Sequence, residues 1–111
     1  MAHAIFARQV AALERLGVAR IEAEIAGGPG SPYAGYYTWA RLGFDAPLTR
    51  AEQRRLPPAL AGATSLHGLL TRPGGRDHWR RFGSGREAVF DLSPGSLHRA
   101  ILAAYLDEKG W

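Results

Sequence analysis

VARIEAEI, residues 18–25, and REAVFDL, residues 86–92, decide the fold. In the first, Ile21, Ala23 and Ile25 alternate with Arg20, Glu22 and Glu24. That is the period of two of a strand with one buried and one wet face. The second alternates well enough for another strand. Upstream, residues 2–16 carry Phe6, Val10 and Leu13 at i, i+4 and i+7, with Ile5 and Leu16 beside them, and Gly17 follows as a stop. This is a helical stripe with its terminator. Downstream, Ser93-Pro94 suits a helix start, Ser as cap and Pro at the first helical position. Leu97, Ile101, Leu102 and Tyr105 then make an apolar stripe that runs to about Asp107.

The middle reads in shorter pieces. GGPGSPYAG, residues 27–35, is a loop by its Gly and Pro content. YYTWARLGF, residues 36–44, is ambiguous: Tyr36, Tyr37, Thr38 and Trp39 favour a strand by type, whereas ARLG reads as a helix end. Thr49 to Glu52 forms a capping box for a short helix that Pro57-Pro58 closes. A second helical piece is expected over about 58–70 on Leu60, Leu66, Leu69 and Leu70, weakened by Gly62 and Gly68. Pro73-Gly74-Gly75 turns the chain, residues 76–82 allow about two helical turns, and Gly83-Ser84-Gly85 breaks them. The expectation is a single α+β domain over residues 1–111, its N- and C-terminal amphipathic helices packed on a small sheet.

Composition excludes several classes. The 111 residues are 46% apolar and 22% charged, which is ordinary for a globular chain. There is no Cys, so disulfides, thiolate zinc sites and cysteine nucleophiles are excluded. No apolar run approaches the ~18 residues of a membrane span. Arg8 and Glu14 interrupt the N-terminal apolar pattern, which is unlike a secretory signal. A cytoplasmic location and no membrane partner are therefore expected. A core of this size supports only about 5–10 kcal/mol, leaving room for a partner or a homodimer to add stability.

The net charge is +4, and thirteen of the fourteen cations are Arg. Residues 1–40 balance to zero, with three Arg and three Glu. Residues 41–86 hold nine Arg against Asp45, Glu52 and Asp77, a net +6, and residues 87–111 are net −2. A basic excess confined to the middle favours polyanions. Its densest part is RPGGRDHWRRFGSGR, residues 72–86. Arg72, Arg76, Arg80, Arg81 and Arg86 can neutralise phosphates, Trp79 can stack on a base, and the glycines let backbone amides approach an anion. The bland alternative makes Trp79 and Phe82 core anchors and the arginines a solvated face. The Gly-rich, Lys-containing loop of NTPases is absent.

Other chemistry is weaker. His3, His67, His78 and His98 show neither the i, i+4 pairing of a helical metal site nor HExxH, so no metal is expected. A metal-independent nuclease needs a base, an acid and a cation for the developing charge; His67 or His98 with His78 and an Arg have the chemistry for it. Glu22 and Glu24 read as a polar sheet face, and Asp107-Glu108 as a helix end. Ser93 and Ser96 read as caps, and no GxSxG elbow occurs. Among Tyr33, Tyr36, Tyr37, Trp39 and Phe44, the core is expected to take Trp39 and Phe44, while Tyr33 and Tyr36 face a solvent or a partner.

Residues 6–44 resemble part of the GNAT superfamily of N-acetyltransferases. Leu16-Gly17-Val18, Arg20-Ile21 and Arg41-Leu42-Gly43-Phe44 stand where that superfamily has its strand-opening LGV.RI and its closing Y.RLGF. The resemblance implies a helix, a strand and a second helix over 36–42. It puts Trp39 where the family usually has a tyrosine able to act as general acid. The family's acetyl-CoA pyrophosphate loop is lacking, and residues 45–111 lie outside the resemblance, so no cofactor is expected. The leading expectation is a small basic module that binds an acidic partner, nucleic acid or protein, through residues 72–86. The alternatives are a small enzyme, either a nuclease-like toxin using His78 or a truncated acetyltransferase-like protein, and an interaction domain of a larger assembly.

Overall fold

The computed structural model describes residues 2–110, with side chains from Ile5 onward, so the side chain of His3 lies outside it. In chain order the elements are α1 (Ala2–Arg15), β1 (Arg20–Ile25), α2 (Gly35–Arg41), α3 (Arg50–Arg54), a 3-10 turn (Pro58–Leu60), α4 (Leu66–Leu70), α5 (Gly75–Phe82), β2 (Arg86–Asp91) and α6 (Leu97–Glu108). β1 and β2 pair antiparallel, with Arg20 opposite Asp91 and Ile25 opposite Arg86. Val89 of β2 exchanges both backbone hydrogen bonds with Asp45, at 2.9 Å each, so β2 is covered on both edges there. The α+β class holds, and α1 and α6 both reach the sheet: Phe6 and His98 each set a ring edge-on to Phe90, at 5.5 and 5.6 Å.

The alternation expected of the strands has a physical outcome. Ile25, Ala88 and Phe90 are buried, Ile21 is half-buried, and Arg20, Glu22 and Glu24 are exposed; Ala23, expected on the buried face, is exposed as well. Gly17 ends α1 with φ +79°, a conformation a side chain resists.

YYTWARLGF resolves in favour of helix. Gly35–Arg41 forms α2, and Tyr36 and Ala40 face the core. Aromatic β-propensity loses because it measures fit to a pleated face, and here the aromatics find partners around a helix. Phe6, Trp39 and Phe44 pack mutually at 5.2–6.0 Å. The capping box at Thr49 forms as expected: its side chain accepts from the Glu52 N–H, and Glu52 accepts from the Thr49 N–H.

Two boundaries differ from expectation. The helical piece over 58–70 is two elements, because Gly62 adopts φ +92° between the 3-10 turn and α4. Ser65 caps α4 by accepting from Gly68 N–H at 3.1 Å. The last helix is capped by Ser96, not Ser93. Ser96 Oγ accepts from Arg99 N–H at 3.2 Å and donates to the Asp91 carbonyl at 2.8 Å. Ser93 instead turns the chain off β2, its N–H donating to the Asp91 carboxylate.

Candidate functional site

The 72–86 segment divides into an inward and an outward set. Trp79 is 2% exposed, and its indole N–H donates to the Tyr36 carbonyl at 2.9 Å. The Arg86 guanidinium lies 4.8 Å over the Trp79 ring and bonds both Glu52 oxygens, at 2.8 and 2.5 Å. The structure therefore corrects two expectations: Trp79 is a core ring with no face left for a base, and Arg86 is already neutralised. Burial alone would raise the Glu52 carboxyl, but the bonds from Arg86 and Thr49 outweigh it and hold it below its usual value. Tyr36 is likewise buried, against expectation, because its hydroxyl donates to the Arg80 carbonyl at 2.6 Å. Tyr33 is 67% exposed, as expected.

Arg76, Arg80 and Arg81 are exposed on α5. Arg80 and Arg81 share Asp77, at 3.0 and 3.2 Å. Pairs this exposed hold their charges loosely. Phe82 beside them is 66% exposed. Arg72 is half-buried and donates to the Leu60 and Ala61 carbonyls.

A second arrangement links distant parts of the chain. Arg41 donates to Glu108 at 2.9 Å, and Arg76 Nη1 stands 3.4 Å from both oxygens of the same carboxylate. Only 12% of the Arg41 side chain is exposed. Its guanidinium packs 5.0 Å from the Tyr105 ring and 5.9 Å from that of Tyr37. The two arginines border a cavity of about 290 Å³ between α2, α4, α5 and α6, which Leu70, Ile101 and Ala104 help to line.

The histidines partly converge. Gly43 presents one carbonyl to both His67 Nε2, at 2.7 Å, and His98 Nδ1, at 3.0 Å. A carbonyl only accepts, so both ring nitrogens carry hydrogens. Asp45 stands 3.6 Å from His67 Nδ1, and the two rings are 4.4 Å apart. Burial, then the neighbouring His67, lower the His98 pKa, against smaller opposing effects of Asp45, Gly43 and Asp91. These are the bonds of a cross-link holding the end of α2 to α4 and α6. A side chain at Gly43 would meet the His98 carbonyl at 2.6 Å, so the approach requires glycine. His78 lies apart, against Phe82 and lining a different cavity with Glu52 and Arg55. The acid–base trio of a nuclease is thus not assembled by His67, His78 and His98. Among the described residues no cluster of His, Asp or Glu is arranged to hold a metal ion, and no helix is long and apolar enough to cross a membrane.

Arg41, Glu108 and Tyr105 were not singled out by sequence as site residues. One signal was available at Glu108. A carboxylate at a helix C-terminus opposes the helix dipole, and such a residue calls for a cationic partner elsewhere in the chain. Compared with protein-family models, curated proteins and solved structures, the chain matches none.

Proposed function

We propose that the chain is a binding module for an acidic partner, specifically single-stranded nucleic acid, with α5 as its contact element. The observation that carries this reading is the exposed row of Arg76, Arg80 and Arg81 ending in the exposed ring of Phe82. Guanidiniums beside an exposed aromatic ring suit a backbone with stackable bases. Phe82 takes the stacking role that the sequence reading gave to Trp79. An acidic protein surface would use the arginines and leave Phe82 unneeded. Fluorescence anisotropy of a labelled single-stranded oligonucleotide tests the reading. Binding is expected at low salt, weaker at high salt, and weaker again in R80A/R81A and in F82A. Salt-insensitive binding, or none at low salt, overturns it.

A second reading, pairing of two copies, is favoured by the β1 edge. Leu92 N–H bonds the Ala19 carbonyl at 2.9 Å, so the ladder turns the backbone groups of Ile21, Ala23 and Ile25 toward β2. Those of Arg20, Glu22 and Glu24 face outward, and no strand beyond them occurs among the described residues. Antiparallel pairing with a second copy sets Arg20 against the copy's Glu22 or Glu24, a favourable cross-strand match. Mass measured against concentration is expected to show a dimer that R20E and E22R/E24R each abolish and their mixture restores. A monomer at every concentration excludes it.

A further inference from the structure

We infer that the cavity between α2, α4, α5 and α6 is a binding site for a small phosphate monoester, whose oxygens replace the Glu108 carboxylate between Arg41 and Arg76. The inference shares Arg76 with the nucleic-acid reading and stands without the rest of it.

Arg41 is the fixed half of the site. Its charge is nearly out of water, its guanidinium leans on the rings of Tyr37 and Tyr105, and its one carboxylate partner among the described residues is Glu108. A guanidinium held this way before a ligand arrives loses little freedom on binding an oxyanion. Arg76 comes from a different helix and points at the same place, 3.4 Å from either Glu108 oxygen. Two guanidiniums from two elements thus converge on one anionic position. Such a fork is better matched by a phosphate, with more charge and three terminal oxygens, than by a carboxylate.

The present occupant is replaceable. Glu108 is the last residue of α6, where the helix carbonyls disfavour negative charge. Its side chain is 45% exposed, so it can turn into water at small cost. Behind the arginines the cavity is walled by Leu70, Ile101 and Ala104, which suits an apolar group rather than further charge. At about 290 Å³ it takes a single ring or a short aliphatic chain, and not a polymer. Thr71 and His67 also line it, but their polar atoms are engaged within the fold: the Thr71 hydroxyl donates to the His67 carbonyl at 2.7 Å, and His67 Nε2 to Gly43. Recognition therefore falls to the two arginines and the apolar wall.

Calorimetric titration with phenyl phosphate tests the site, with benzoate as the carboxylate counterpart. The intact chain is expected to bind phenyl phosphate saturably and more tightly than benzoate. E108Q removes the competing charge and is expected to tighten binding about tenfold, the worth of one charge-assisted contact. R76Q is expected to weaken it by a similar factor. Arg76 is about half exposed, so R76Q does not threaten folding. E108Q takes the carboxylate from the little-exposed Arg41 but leaves it an amide oxygen as acceptor, and its thermal melt is recorded beside the titration. E87Q changes the net charge equally at an exposed position on β2 and is expected to change nothing. R80A/R81A is expected to leave phenyl phosphate binding intact while weakening the oligonucleotide, which separates this site from the α5 face. No saturable binding even in E108Q, equal tightening by E87Q, or equal affinity for benzoate and phenyl phosphate overturns the inference.

Discussion

At Arg86 a positive charge that counts toward the basic total faces inward. Its side chain is 15% exposed and that of Glu52 is 18% exposed, and the pair also holds the Pro47 carbonyl at 3.1 Å. Removing one partner leaves the other uncompensated. R86A is therefore expected to cost about 3 kcal/mol, as for a largely buried pair broken from one side. Urea unfolding checks this, with R80A as the exposed comparison expected to lie within about 0.5 kcal/mol of the parent. His98 gives a pH signature. Its folded pKa lies below its ordinary 6.5, because burial disfavours the cation. The unfolded chain then takes up the proton first as pH falls, so stability is complete above about 6.5 and is lost as pH drops through the folded value. Asp91, held low by its bonds to Ser93, and Glu52 titrate below their ordinary 3.8 and 4.5, outside that window. H98N keeps an N–H for the Gly43 carbonyl without the titration. Its urea midpoint is expected to fall less than the parent's between pH 7.5 and 5.5. Parallel slopes would contradict the assignment.

Elements were legible where their signal is local. The strand Arg20–Ile25, the helix α1 with Phe6 and Val10 buried, and the capping box at Thr49 each need only neighbouring residues, and each forms, although Ala23, Ile5 and Leu16 stay exposed where the patterns put them on or beside an apolar face. The start of α6 was not legible, because Ser93 and Ser96 are both good caps by type. The choice is tertiary: Ser96 Oγ can also reach the Asp91 carbonyl as β2 ends, and Ser93 is needed in the turn. S96A is expected to lose about 1 kcal/mol, the usual worth of a cap. S93A should lose less than half of that, which thermal melts of the two variants decide. Likewise Tyr36 looked exposed after a Gly-rich loop, yet its hydroxyl bonds a carbonyl 44 residues away. No local pattern encodes such a contact. The half-buried Trp39 shows the converse: its type suited a strand, and its partner Phe6 comes from another helix.

Across the whole molecule, the charge count overstates the charge available. Of the nine arginines in residues 41–86, Arg41 and Arg86 sit against carboxylates with little exposure, and Arg72 is tied to two carbonyls. Arg50, Arg54 and Arg55 belong to α3 or its end and form no ion pair among the described residues. Sequence located the basic region but not this partition, since which arginines turn inward depends on where Glu52 and Glu108 fold to. The partition makes the salt dependence of binding quantitative. If α5 is the contact element, three arginines meet phosphates: Arg76, Arg80 and Arg81. For a single strand the slope of log affinity against log salt should then be about −2, and far from the value that all nine arginines would give. R80A/R81A should bring it to above about −1, because two of three contacts are gone. R50A/R54A removes the same charge from α3 and should leave the slope near that of the parent. A slope that responds equally to both double substitutions would mean that the field of the whole molecule, and not α5, attracts the nucleic acid.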